Sequence, residues 1–394
     1  MPSLLVVHAV DRPGGAELAL LRVAPLLLER GWRITMTGPT GRRPAEAPAD
    51  VHWRAQPVGG LGRGRGAQAL RAFGAFRRMA EPFDVVYLNG TVPGRLLPAL
   101  RPPSLAAPPR PWAPGRAGGG RPLGSPVGGR AVLHVHDMVS RVPRFWGAAD
   151  ALLADSSACG APLARRLGRR VDVTGCPVDL DPPAVDPPWT RDGRPVVAFV
   201  GRIEPRKSPH DLITATAAIR SVVPDVRVVL VGDDVYGADR SYRRMVDRRA
   251  SDAGIERWPW QSGGPGLLRH VDVLVVPSLR EPGGTVVSEA HAVGVPVVAT
   301  AVDGLVEVVD DGRTGRLIPT HDPAALAHGV IWALRERTLA ADACRQAAAR
   351  WSLERVTDRI EAALLGREAP AGSPAVDPPA GVGAAGGDDR AAGS

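Results

Sequence analysis

Short, nearly unbroken apolar runs alternate along this chain with longer stretches whose apolar positions recur every three or four residues. In the first half the runs are Leu4–Val7, Arg33–Thr37, Val85–Leu88, Ala131–Val135 and Ala151–Ala154. Runs of this length without polar alternation suit strands covered on both faces, as in a parallel sheet. Helical spacing fills the gaps at Ala16–Glu29, Ala67–Met79 and Ser157–Leu167. Pro25 predicts a kink in the first of these helices, because its ring removes a backbone donor. A second series opens with Val196–Val200 and continues with Val226–Val231, Val271–Val276 and Val295–Thr300. Helical stretches follow them at Pro209–Val222, Arg240–Ala253, Thr285–Val293 and Pro323–Arg335. Strands alternating with helices predict an α/β fold with parallel sheets. Two such series predict two Rossmann-like domains of similar size, with ligands at the carboxyl ends of the strands and a cleft between the domains.

Interruptions in the pattern set the boundaries. Residues 1–176 read as the first domain, 177–194 as a Pro/Asp-rich linker, 195–350 as the second domain and 351–365 as a last helix. Residues 101–130 hold fifteen Pro or Gly, five Arg and no acid. That is too little apolar surface to order the segment, so a flexible insertion is expected. A tail at 366–394, rich in Gly, Pro and Ala, is expected to be disordered.

Composition narrows the class. The 394 residues are 44% hydrophobic and 23% charged, a globular balance in a chain long enough for two cores. No apolar run reaches eighteen residues, so no spanning helix is expected. Met1–Val7 enters a strand without the leader of a secretion signal. Cys159, Cys176 and Cys344 are scattered, which argues against a disulfide framework or structural zinc and for a reducing cytoplasm. The net charge of +8 suits phosphorylated small molecules or peripheral contact with the anionic inner face of a membrane. Nucleic acid is not an expected partner, since aromatics are only 4% and no zinc finger or RNP-type strand is present.

Almost all of that positive charge is guanidinium. The one lysine, Lys207, stands five residues after Arg202 in the loop that follows Val196–Val200. An ammonium on a flexible stem reaches phosphate oxygens as a point charge, and a guanidinium grips them as a fork. The loop falls short of a Walker A motif, because Arg206 stands where backbone wrapping needs glycine. Glu281 and Glu289 bracket Pro282-Gly283-Gly284-Thr285-Val286 after the strand Val271–Val276. Glycines let backbone approach a ligand, and the amides of a helix starting near Thr285 attract an anion. Glu289, in the second turn, can accept from a diol such as ribose, and Glu281 can reach hydroxyls beyond the phosphates.

The first domain offers weaker signals. Gly14-Gly15-Ala16-Glu17 follow the opening strand and start a helix. Gly62 to Ala67 spells GxGxxA without a strand before it, and reads as a basic loop. His134 and His136 share one face at the end of Ala131–Val135, with Asp137 next. Two histidines and an aspartate allow a metal, but no fourth ligand is identifiable. His136, at the loop edge, reads instead as a substrate contact, and His134 as a core histidine or a second contact.

Gly14-Gly15, His136-Asp137, Gly201-Arg202 to Lys207, and Glu281 to Glu289 followed by Gly294 and Pro296–Thr300 together resemble the retaining glycosyltransferases of family 4. The resemblance covers roughly residues 1–365. It implies the GT-B fold, with an acceptor-side first domain, a donor-nucleotide second domain and a last helix crossing back to the first. It implies metal-independent transfer of a sugar from a nucleoside-diphosphate donor, with no permanently bound cofactor, to a hydroxyl acceptor. Arg202 and Lys207 would then bind the diphosphate and Glu281 the transferred sugar. Glu289 would bind the ribose, and Gly283, Gly284, Thr285 and Val286 the phosphates through backbone. His136 would lie beside the donor sugar, and Gly15 would close over the diphosphate. Ser208 departs from the family's usual glycine, Gly283 from a common aromatic, and Trp258-Pro259-Trp260 from a valine-rich strand. Other readings on the same fold are an epimerase, a phosphorylase or a non-catalytic sugar-nucleotide-binding protein. A phosphorylase would need a lysine for its pyridoxal group.

Overall fold

The computed structural model describes residues 1–10, 13–56, 66–101, 129–234, 239–261 and 263–379. Contacts divide the chain into two compact units, Met1–Thr174 with Thr357–Ser394, and Gly175–Val356. Unit 1 contains β1 (Ser3–Val7), β2 (Arg33–Gly38), β3 (His52–Ala55), β4 (Val85–Asn89), β5 (Arg130–Val135), β6 (Ala151–Ala154) and β7 (Val171–Val173). Unit 2 contains β8 (Val196–Val200), β9 (Arg227–Val231), β10 (Glu256–Trp258), β11 (Val273–Val276), β12 (Val297–Thr300) and β13 (Gly315–Ile318). The two-residue strand β14 (Ala375–Val376) returns to unit 1.

Both units have the α/β architecture expected. The first sheet runs β14-β7-β6-β5-β4-β1-β2-β3 and the second β10-β9-β8-β11-β12-β13. All recorded pairings are parallel except that of β14 with β7. Helices cover the faces, so strands such as β1 and β4 are buried along their whole length. The helix Gly15–Glu29 continues through Pro25 as one element. Ser156 caps the helix Ser157–Leu167 by accepting the Cys159 amide, and Gly168 ends it at φ 62°.

Strands that the apolar runs did not predict lie at or next to sheet edges: β3, β7, β10, β13 and β14. An edge strand needs only one partner and one covered face, so its residues stay polar and the apolar signal is lost.

The tail departs from expectation. Residues 366–379 are not a disordered segment: Val173 donates its amide to Pro374, Ala375–Val376 pair with β7, and Val376 packs on the core of unit 1. The open edge of β7 supplies hydrogen bonds that a composition argument does not count. Residues 380–394 lie outside the described residues, as do 102–128 of the predicted insertion. Arg130, the last residue of that insertion, already belongs to β5.

The stretch read as a linker is counted with unit 2, where Val178 and Trp189 join the hydrophobic core. The helix Leu353–Leu365 begins in unit 2, where the Leu353 amide bonds Val178, and its residues from Thr357 belong to unit 1. There Arg30 pairs with Asp358 and Glu361, and Arg359 donates to the carbonyl of Thr174. Among the described residues no helix is long and apolar enough to cross a membrane.

Candidate functional site

In unit 2 the chain leaves β8 toward β9 and β10 on one side, then returns to β11, β12 and β13 on the other. The crevice at the carboxyl ends of β8 and β11 is therefore where the winding direction reverses. Open α/β sheets place ligands at such a point. The two loops that rim it are 201–208, with Arg202 and Lys207, and 277–284, with Glu281, Gly283 and Gly284.

These loops are stitched together. The Lys207 ammonium donates to Glu281 Oε2 in a short contact. The Leu279 amide donates to the Arg206 carbonyl at 2.8 Å, and Arg206 Nη1 donates to the Arg280 carbonyl at 2.7 Å. Arg202 Nη1 lies 3.2 Å from Glu204 Oε2, and Arg206 Nη2 bonds the other oxygen of Glu204 at 2.9 Å. Glu204 thus holds two of the loop's guanidinium groups in register.

Glu281 is buried, and the surroundings fix it at both ends. Ser278 Oγ donates to Oε2 at 3.1 Å, the Glu281 amide donates to Asp303 Oδ2 at 3.0 Å, and its carbonyl accepts from Gly304 at 3.0 Å. Burial works to raise its carboxyl. The Lys207 charge and hydrogen bond, helped by Arg206 and Ser278, outweigh that and hold it below its ordinary value.

Gly284 starts the helix Thr285–Ala292 at φ 66°. A Cβ there would lie 3.1 Å from Leu305 Cδ2 and 3.2 Å from Val308 Cγ2. Its glycine is demanded by the fold as well as suited to a close ligand. The Gly284 carbonyl takes up the amides of Val287 and Ser288, while Thr285 and Val286 begin the helix and have no intrahelical acceptor. Glu289 is buried on this helix, one turn beyond Thr285. Ser208, where glycine is usual in the resembled family, sits at φ 50°. That left-handed backbone explains the usual glycine, and here the Ser208 hydroxyl donates to Asp211 Oδ2 at 3.0 Å.

In unit 1 polar residues follow adjacent strands along one rim of the sheet: His8 after β1, Asn89 ending β4, His136 after β5 and Asp155 after β6. His136 is buried, with Nδ1 2.9 Å from Asp155 Oδ1 and Nε2 2.7 Å from Asn89 Oδ1. Burial lowers its basicity, but Asp155 overcomes that, with smaller contributions from Glu17 and Asp137, and the ring is held above the ordinary histidine range. An imidazolium donates through both nitrogens, which matches the two acceptors. The Asn89 amide group then donates to His8 Nδ1 at 3.0 Å, so His8 is neutral, and burial with the charge of His136 pushes it down to about 3. His134 also meets Asp155, at 3.1 Å, and accepts from Tyr87; burial and His136 push it down to about 4.

Gly15 is exposed at the start of its helix, with nothing within 4 Å of a Cβ placed on it. Gly14 donates its amide to Glu17 Oε2 at 2.9 Å. The GxGxxA stretch lies mostly outside the described residues.

Sequence reasoning therefore named Lys207 and Glu281 without foreseeing that they bind each other. It chose Asp137 as the neighbour of the histidines, whereas Asp137 is exposed and Asp155 is the carboxylate they share. Asp155, Asn89, Ser278 and Asp303 were missed. Their signal was a single polar residue closing or following an apolar run, which gains meaning only when the strand order makes those ends neighbours.

Residues 186–351 match the family described as "Glycosyl transferases group 1". A D-inositol 3-phosphate glycosyltransferase of Saccharomonospora viridis is 40% identical over 177 residues, 42% of this chain and 41% of that protein. The Mycolicibacterium smegmatis protein of the same name is 36% identical over 208 residues, 48% of this chain and 46% of that protein. The chain thus spans less than half the length of these curated relatives. Among solved structures, Anabaena Alr3699/HepE in complex with UDP and glucose has a TM-score of 0.70 at 21% identity, covering 93% of this chain and all of that one. Sucrose-phosphate synthase from Thermosynechococcus elongatus has a TM-score of 0.69 at 18% identity, covering 92% of this chain and 98% of that one. The structural likeness shows the fold, GT-B, as expected from the sequence.

Proposed function

We propose that the chain is a retaining glycosyltransferase of family 4, which moves a sugar from a nucleoside-diphosphate donor to a hydroxyl acceptor without a metal or a permanently bound cofactor. The observation that carries this is the Lys207–Glu281 pair at the reversal point between β8 and β11, inside the segment that matches the glycosyltransferase family.

In the resting chain the pair is neutral overall. A donor adds negative charge at its diphosphate and hydroxyls at its sugar. The first suits the Lys207 ammonium together with Arg202, and the second suits the Glu281 carboxylate. Thr285 and Val286 amides, with Gly283 and Gly284 allowing close approach, add helix-end charge at the leaving diphosphate. Catalysis then rests on preorganised positive charge where negative charge develops. A diphosphate oxygen would take the acceptor proton on the face it leaves, which preserves the anomeric configuration. Glu289 is proposed on the ribose diol, and His136 and Gly15 as the residues of unit 1 that approach the donor. A cytoplasmic location is part of the proposal, and the +8 charge favours peripheral contact with an anionic inner membrane face, a contact that vesicle flotation would test.

A thermal-shift screen against sugar nucleotides, beginning with UDP-glucose, tests the reading. One donor should raise the melting temperature, and transfer from it should give a product with the donor's anomeric configuration by NMR coupling. Glu289→Gln should weaken that donor about tenfold, the loss of one charge-assisted hydrogen bond of ~1.5 kcal/mol. A protein that binds no sugar nucleotide, or inverts the anomer, would refute the proposal.

A further inference from the structure

Just after the first of these loops, the start of the helix Pro209–Val222 and the turn before Pro323 bring a set of metal-capable side chains together. His210 Nε2 lies 3.2 Å from Asp211 Oδ1, and His321 Nδ1 lies 4.0 Å from Asp211 Oδ2. One donor atom from each of the three residues falls within 4.8 Å of the others. Asp211 is buried, His210 is partly exposed, and His321 is exposed, so the cluster opens to solvent on one side.

The surroundings already orient two of the three donors. A histidine that ligates through Nε2 must hand its Nδ1 hydrogen to an acceptor, and the Tyr242 hydroxyl stands 3.0 Å from His210 Nδ1. Asp211 is held by the Ser208 hydroxyl at 3.0 Å from Oδ2, which leaves Oδ1 facing His210. Two neutral imidazoles and one carboxylate match the nitrogen and oxygen preferences of zinc, with a fourth position left for water. Magnesium or calcium would want an oxygen cage that is not present here.

We infer that His210, Asp211 and His321 form a binding site for one divalent transition ion, with zinc the best match. The site is independent of the reaction proposed above, and none of its residues serves the donor in that proposal.

Calorimetric titration of the tag-free full-length chain, stripped with EDTA, should show one zinc bound per chain at this site. Cobalt should give the visible bands of a nitrogen- and oxygen-ligated tetrahedral ion. His321→Asn removes a ligand while keeping a residue that tolerates the φ of 55° at this position. It should weaken zinc tenfold or more and leave the zinc-free melting temperature unchanged. His210→Gln serves as a second variant on a separate element and should do the same to zinc. Tyr242→Phe should weaken zinc less than either. If the parent chain takes up no zinc, or if both ligand variants bind it as tightly as the parent, the inference is wrong and the cluster is only a hydrogen-bonded helix start. Binding that the variants abolish, with magnesium in excess failing to compete, establishes it.

Discussion

Lys207→Met removes the ammonium from a carboxylate that burial has already disfavoured. Glu281 is 7% exposed, and its remaining hydrogen-bond donor is Ser278 Oγ at 3.1 Å, with the Arg206 charge near by. Breaking a buried pair on one side costs about 3–5 kcal/mol. Here the glutamate has an escape, because it can fold protonated. Taking it from its ordinary value of 4.5 to the neutral form at pH 7 costs about 3.4 kcal/mol at 1.36 kcal/mol per unit, which caps the penalty. The sign with pH follows. In the parent the Glu281 carboxyl is lowered, so its contribution is present above pH 4.5 and is lost as pH falls through the folded value. In the variant burial dominates and the carboxyl rises above 4.5, so the deficit is largest at pH 7 and shrinks toward pH 5. Urea unfolding of the parent, Lys207→Met and the double variant with Glu281→Gln, at both pH values, measures this. The double variant should regain about 2 kcal/mol of stability, because the isolated charge is gone. It should regain no transferase activity. A deficit under 0.5 kcal/mol, or one that does not change with pH, would refute the assignment of a buried, coupled pair. Activity restored in the double variant would refute the role of Lys207 at the diphosphate.

Two glycines separate fold from function. Gly284→Ala should destabilise unit 2 by about 1–2 kcal/mol, since an alanine at φ 66° meets both the left-handed penalty and the Leu305 and Val308 side chains; denaturation shows it. Gly15→Ala should leave stability within about 0.5 kcal/mol, yet raise the donor KM if backbone must come close there; unchanged kinetics would remove Gly15 from the site. By NMR, His136 should titrate above 6.5 while His134 stays low near 4, and Asp155→Asn should drop His136 below its ordinary value because burial then outweighs the smaller contributions of Glu17 and Asp137. The stability that His136 adds should be full below pH 6.5 and disappear as pH rises through its raised folded value.

Strand and helix positions were legible because they are local. A run such as Val-Val-Ala-Phe-Val needs no knowledge of its neighbours to call for burial on both faces, and β8 begins and ends where its apolar run does. Edge strands were not legible, since β10 and β13 owe their structure to one partner and to the sheet that ends there. The tail strand β14 shows the same dependence: two residues of ordinary composition become ordered because β7 offers an unpaired edge.

The candidate site divides in the same way. Residue types and spacings were enough to mark Arg202, Lys207, Glu281, Glu289 and the glycines between the glutamates as candidates. Only the tertiary structure decided that Lys207 and Glu281, 74 residues apart, neutralise each other, and that Asp155 rather than Asp137 serves the histidines. The physical reason is that ion pairing falls off over a few ångströms, while separation along the chain says nothing about distance across a sheet. The order in which parallel strands are laid side by side, set by the packing of helices over both faces, determines which strand ends become neighbours.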